Sequence, residues 1–119
     1  MTEEKEVLSQ FGHEFIKNTR DRTFKIYKKL KNNEMKVKDN LILYNKINNL
    51  NLDEQLILDD VVYEMVDLVL FNVLNFLEEN TQIEFKDENI NAITDGLAGE
   101  LYSNEGWIRK FSAYHSTEK

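Results

Sequence analysis

Apolar residues recur at helical spacing from Leu8 onward. Leu8, Phe11, Phe15 and Ile16 form one run, and Phe24, Tyr27 and Leu30 form a second. The period is that of an amphipathic helix. It predicts a helix from about Glu3 to Lys31, with Asn18–Asp21 as the place where it could break. Glu3, Glu4 and Glu6 at its start and Lys28, Lys29 and Lys31 at its end suit the helix macrodipole. Gly12 works against it by about 1 kcal/mol relative to alanine. Asn32-Asn33 marks a loop. Asp39 or Asn40 can cap a short helix bearing Leu41, Tyr44, Ile47 and Leu50, which Asn48-Asn49 and Asn51 end.

The clearest start signal is Asn51-Leu-Asp-Glu54. Asn51 can accept from the first turn and Glu54 can reach back, as in a capping box. The helix then runs to about 79, with Asn80-Thr81 as its stop. Leu56, Ile57, Val61, Val62, Met65, Val66, Val69, Leu70, Val73, Leu74 and Leu77 place apolar groups on nearly every side. A helix apolar almost all round belongs in a core. The expected fold is therefore mainly α: a helical bundle around one long central helix (about 52–79), the axle on which the others pack. Ile83-Glu-Phe85 alternates, Asp87-Glu88-Asn89 reads as a turn, and Ile90-Asn-Ala-Ile93 follows. These predict a short β-hairpin over about 82–94, lying on the helices. Asp95-Gly96 and Asn104-Glu105-Gly106 are turn signals. Trp107, Ile108, Phe111 and Tyr114 supply a last apolar face packed on the bundle, and fraying is expected from about His115.

Composition narrows the function classes. At 119 residues the chain reads as a single domain, 1–119. It has no cysteine, which excludes disulfides, thiolate metal sites and cysteine nucleophiles. Its start, Met1-Thr-Glu-Glu-Lys-Glu, is acidic and unlike a secretory signal, so a cytoplasmic location is expected. Leu56 to Leu77 is long enough to span a bilayer. It carries Asp59, Asp60, Glu64 and Asp67, each costing about 2.5–3.5 kcal/mol near the bilayer centre, so no membrane association is expected. Charge divides the chain near residue 50. Residues 1–50 hold eleven Lys/Arg against seven Asp/Glu, and residues 51–119 hold four against fifteen. Between Asn51 and Trp107 the only basic residue is Lys86. Such a field favours a basic partner and repels nucleic acid.

Within the acidic half, Asp60, Glu64 and Asp67 lie at i, i+4 and i+7, one stripe of the long helix. Phe71 and Leu74 fall on the same side. Apolar residues rimmed by acids suit an interface. A solvated face, or an internal salt bridge from Lys or Arg of the first helix to Asp60 or Glu64, is the alternative reading of the same stripe. A di-metal bundle would add a Glu-x-x-His pair, and neither His13 nor His115 offers one, so no metal or cofactor is expected. Trp107 reads as a core anchor or an interface hot spot. Lys25, Lys28, Lys29, Lys31, Lys36 and Lys38 form a basic cluster with little aromatic interleaving, in an acidic chain. We read it as a solvated or paired face and expect no nucleic acid partner. His13-Glu14 lacks the second histidine of a zinc motif, and no Ser–His–Asp order is legible. Gly96-Leu-Ala-Gly99 lacks the Lys-Ser/Thr of a phosphate loop. No catalytic residue is assigned.

The stretch from Thr94-Asp-Gly-Leu-Ala-Gly-Glu100 through Gly106-Trp-Ile-Arg-Lys-Phe-Ser112 resembles the closing signature of a family of small, uncharacterised bacterial proteins. That signature is D-G-L-x-G-E, a short acidic turn, then G-W-[IF]-x-[KR]-[FY]-S. Phe11-Gly12 and Arg20-Asp21 fit the family's opening. The resemblance implies a bacterial, cytosolic, single-domain protein with a small β element after the long helix. It carries no activity and no catalytic residue. Three functions stay open. The first is a non-enzymatic interaction module whose acidic, partly apolar surface from Asp53 to Glu88 meets a basic or mixed protein partner, by analogy an immunity protein. The second is a structural homo-oligomer packed through the long helix. The third is a small-molecule-binding or enzymatic domain near the hairpin, with polar groups from Asp95, Glu100 and Tyr102.

Overall fold

The computed structural model describes residues 2–35, 37–102 and 105–115. Lys36 of the basic cluster, Asn104 of the expected turn and the tail after His115 lie outside the described residues. Helix α1 (Thr2–Ile16), a π-helical turn (Lys17–Asp21) and α2 (Arg22–Lys31) follow one another without a gap. The break expected at Asn18–Asp21 is thus a widened turn and not a loop. Two side chains bond back onto the backbone there. Thr19 Oγ1 donates to the Phe15 carbonyl at 2.6 Å, and Asn18 Nδ2 donates to the Glu14 carbonyl at 2.8 Å. Such back-bonding loosens the regular ladder. The widened turn buries two successive charged residues, Arg20 and Asp21.

Helix α3 (Lys38–Asn48) folds back beside α2. It starts at Val37 with no side-chain cap, so the cap expected from Asp39 or Asn40 is not made. Asp39 sits in the first turn, where its charge meets the helix dipole. Helix α4 (Leu52–Asn80) opens with the expected capping box. Glu54 N–H donates to Asn51 Oδ1 and Asn51 N–H donates to Glu54 Oε1, both at 2.9 Å. It closes at Thr81, whose N–H and hydroxyl both donate to the Leu77 carbonyl. Helix α4 runs antiparallel to α1 and α2. Lys31 and Tyr27 meet Asp59, Phe24 meets Tyr63, and Arg20 meets Asp67.

The hairpin is shorter than its expected span. Strands β1 (Glu84–Phe85) and β2 (Glu88–Asn89) pair antiparallel, with Glu84 opposite Asn89 and Phe85 opposite Glu88. Lys86 and Asp87, not Asp87–Asn89, make the turn. Both have positive φ, 52° and 66°, the two-residue turn that matches strand twist. Ile90–Ile93 forms one helical turn, α5, where a second strand was expected. Local side-chain bonds displace the ladder there. Asn89 accepts from Asn91 N–H, and Asn91 Nδ2 donates to the carbonyls of Glu78 and Thr81. A 3₁₀ turn (Ala98–Leu101) and α6 (Trp107–Phe111) complete the described elements.

Ile16, Leu70, Leu74, Ile90, Leu97, Ala98, Leu101 and Trp107 form one buried cluster at the C-terminal end of α4. Gly12 explains itself there. A Cβ at that position would stand 2.4 Å from the Trp107 indole, so the ring lies directly on the α1 backbone. Gly12→Ala is therefore expected to destabilise the protein by about 1–3 kcal/mol through overpacking, although alanine is the better helix former by about 1 kcal/mol. Urea unfolding checks this, and a gain in stability would place the indole elsewhere.

This packing covers α4 on one side. The molecule measures 52 × 30 × 21 Å with a radius of gyration of 16.9 Å, against about 13.5 Å for a compact chain of this length. Its accessible surface is 8130 Å², against roughly 6,700 Å² for a folded monomer of this mass. The excess surface includes an uncovered helix face.

Candidate functional site

The uncovered face belongs to α4. Leu70 and Leu74 are buried on its inner side, with Val66, Asp67, Phe71 and Leu77 half-buried beside them. On the outer side Ile57, Val61, Met65, Leu68, Val69, Val73 and Phe76 are all exposed, from 40% at Val73 to 63% at Ile57. At 100° per residue these seven fall within a sector of about 160°. Asn72 and, at its edge, Asn75 are the polar members of that sector, and no charge lies in it between Ile57 and Phe76. Seven such side chains, each about half exposed, present on the order of 600 Å² of apolar surface, at the top of the ~300–600 Å² of the largest patch on an ordinary monomer. It approaches the ~800 Å² that a standard interface takes from one partner. Asp53, Asp60 and Glu64 line one flank of the sector, while Gln55, Val62 and Val66 line the other.

The inner side is held by charge. Arg20 is 2% exposed. Its Nε donates to Asp67 Oδ1 at 2.6 Å and its Nη2 to Asp67 Oδ2 at 3.2 Å, a bidentate pair. Its Nη1 donates to Ser112 Oγ at 2.7 Å and to the Tyr114 carbonyl. Asp21 accepts from Ser112 Oγ and from the Ala113 N–H. The guanidinium also stacks on Phe24 and Tyr63, 4.8 and 5.6 Å from their centroids. One arginine thus ties the π turn, α4 and the chain after α6 together.

The expected interaction residues divide between these two sides. Asp60 and Glu64 stand on the flank of the open face and make no ion pair among the described residues. Phe71 borders the same flank and packs against Tyr102, the ring planes tilted and the centroids 6.0 Å apart. Asp67 turns onto Arg20, and Trp107 is 3% exposed beneath α1, so neither reaches the outer face. The internal salt bridge expected from the first helix at Asp60 or Glu64 is not made among the described residues; the first helix pairs instead with Asp67, through Arg20, and with Asp59, which Lys31 meets at 2.6 Å. Lys28 lies over the Tyr114 ring, while Lys25, Lys29 and Lys38 are exposed. Glu100 accepts from the Thr94 hydroxyl and Tyr102 donates to the Asp67 carbonyl. A shallow groove of about 610 Å³ lies instead between Ser9, His13, Phe85, Lys86 and Phe111. Among the described residues, no group of three or more His, Asp or Glu is placed to hold a metal ion. Nor is any helix among them long and apolar enough to cross a membrane.

Tyrosines line the seam between the antiparallel helices. Burial, then the hydrogen bond to Asp59, holds the Tyr27 phenol well above its ordinary pKa of 10.0. Burial also raises Tyr63 and Tyr102 against the opposing pull of Arg20; nearby carboxylates add to the rise. A phenol whose pKa is raised on folding contributes stability that is full below the unfolded value and lost as pH climbs through the folded one. Stability is thus expected to hold up to about pH 10 with respect to these groups and to fall above it. Absorbance at the phenolate band, followed with melting temperature, tests this; normal titration of all five tyrosines in the folded protein contradicts it.

Comparison with protein-family models, with curated proteins and with solved structures finds no match to this chain.

Proposed function

We propose that this chain is a non-enzymatic protein–protein interaction module that docks its partner on the open side of α4. The observation that carries the reading is the charge-free apolar sector from Ile57 to Phe76, left exposed on a helix whose other side buries Leu70 and Leu74 and pairs Asp59 and Asp67. Water contact with that much apolar surface is unfavourable by roughly 25 cal/mol per Å², so cover by a partner is the natural state of such a face. Asp60 and Glu64 form its rim and Phe71 its border. Asp67 and Trp107 act from beneath, through Arg20 and Gly12, to hold the framework that displays it. An immunity-type role in a bacterial cytoplasm, plugging a cationic partner, is one form of this reading.

Met65 reports on it from the middle of the face, where its thioether is about half exposed. Dilute peroxide is expected to convert Met65 to the sulfoxide readily in the purified chain at low concentration. In extract of the native cells the same residue is expected to be protected severalfold. Equal oxidation in both settings would contradict the docking reading.

A further inference from the structure

The docking face also limits what can cover it. We propose that its occupant is a single amphipathic helix of another protein, apolar on one side and carrying Lys or Arg along one flank only. This rests on the docking reading above and specifies the partner's chemistry. The apolar sector is long and narrow: Ile57 to Phe76 spans about 30 Å of a straight helix. A second helix fills such a surface by packing ridges into grooves. The rim sets the charge. Helix α4 contains eight acidic residues and no Lys, Arg or His. Asp59 and Asp67 are neutralised from within by Lys31 and Arg20. Asp53, Asp60 and Glu64 are left along one flank with no ion pair among the described residues, while Gln55, Val62 and Val66 on the other flank carry no charge.

A second copy of the chain fits this face poorly. In an antiparallel pair of α4 helices the acidic flank of one meets the acidic flank of the other. In a parallel pair it meets Gln55, Val62 and Val66, which offer no cation. Like charges brought together at an interface cost several kcal/mol, whereas a helix with Lys or Arg on the matching flank turns the same acids into attraction and faster association.

Two synthetic helical peptides of about 20 residues, sharing one leucine stripe, test the proposal against the full chain. One carries Lys along a single flank, the other Glu at the same positions. Calorimetric titration is expected to give the Lys peptide at least about tenfold higher affinity. That margin should shrink as salt rises from about 0.05 to 0.5 M, and vanish in the Asp60→Asn/Glu64→Gln variant. The neutral variant Val69→Ser/Phe76→Ser is expected to lose both peptides at least tenfold; undiminished binding there would overturn the proposal by making the attraction unspecific. Equal binding of the two peptides overturns the charge assignment and leaves the docking face standing. Binding of neither peptide by a chain that sedimentation finds dimeric through this face assigns it to a second copy. Binding of neither by a monomer removes the docking reading as well.

Discussion

Replacing Arg20 with alanine is expected to be the most damaging single change in the molecule, at about 3–5 kcal/mol. Three losses combine. Asp67 keeps its charge at a half-buried site without its bidentate partner. Ser112 Oγ and the Tyr114 carbonyl lose a charged donor. Phe24 and Tyr63 lose the guanidinium stacked on them. A domain of ordinary stability, about 5–15 kcal/mol, has little left after such a loss. Arg20→Met combined with Asp67→Leu removes both members of the pair, so the double variant is expected to recover most of the stability lost by Arg20→Ala, because buried pairs often break even against well-packed apolar replacements. Urea unfolding measures both. A loss under about 1 kcal/mol for Arg20→Ala would mean that water, not Asp67, satisfies the guanidinium.

The open face predicts the opposite combination, a large effect on binding with almost none on folding. Lysine at Val69 and Phe76 replaces two exposed side chains that touch little else. Exposed substitutions of this kind fall within about 0.5 kcal/mol of the parent. Their unfolding curves are therefore expected to overlay those of the parent chain. The same two lysines put unpaired charge at the centre of the apolar sector, where anchor residues contribute 2 kcal/mol or more apiece, so partner affinity is expected to fall at least about 100-fold. Destabilisation by several kcal/mol would mean that this face is packed within the chain itself.

Much of the framework was legible in the sequence because its signals are local. Asn51 and Glu54 bond within one turn, and Asn80-Thr81 ends the same helix by bonds to the preceding turn. The widened turn at Lys17–Asp21 falls where the apolar rhythm falters, since Ile16, Arg20 and Phe24 share one stripe and the middle one is charged. That misplaced arginine was the available sign of the buried network. Its partner Asp67 lies 47 residues away, and no local spacing connects them. Gly12 reads as a helix defect until Trp107 is laid across it. Asn89 and Asn91 turn Ile90–Ile93 into a helical turn through bonds that propensity does not record. The most consequential feature was hidden for a different reason. An apolar periodicity that runs all round α4 fits a helix enclosed by its own chain and equally a helix half enclosed, with the other half left for a partner. The stripe Asp60–Glu64–Asp67 was visible as a pattern, but its division into two rim acids and one interior ion pair depends on where Arg20 comes to rest.

The most direct measurement places a photo-activated cross-linking side chain at Val69, in the middle of the open face, and at the exposed Asn18 on the π turn as a control, and irradiates the full chain in its native cells. One discrete adduct is expected from Val69, absent from Asn18, and abolished when Phe76 is also changed to lysine. Equal, diffuse labelling from both positions, or no adduct from Val69, would contradict the claim that α4 displays a docking face.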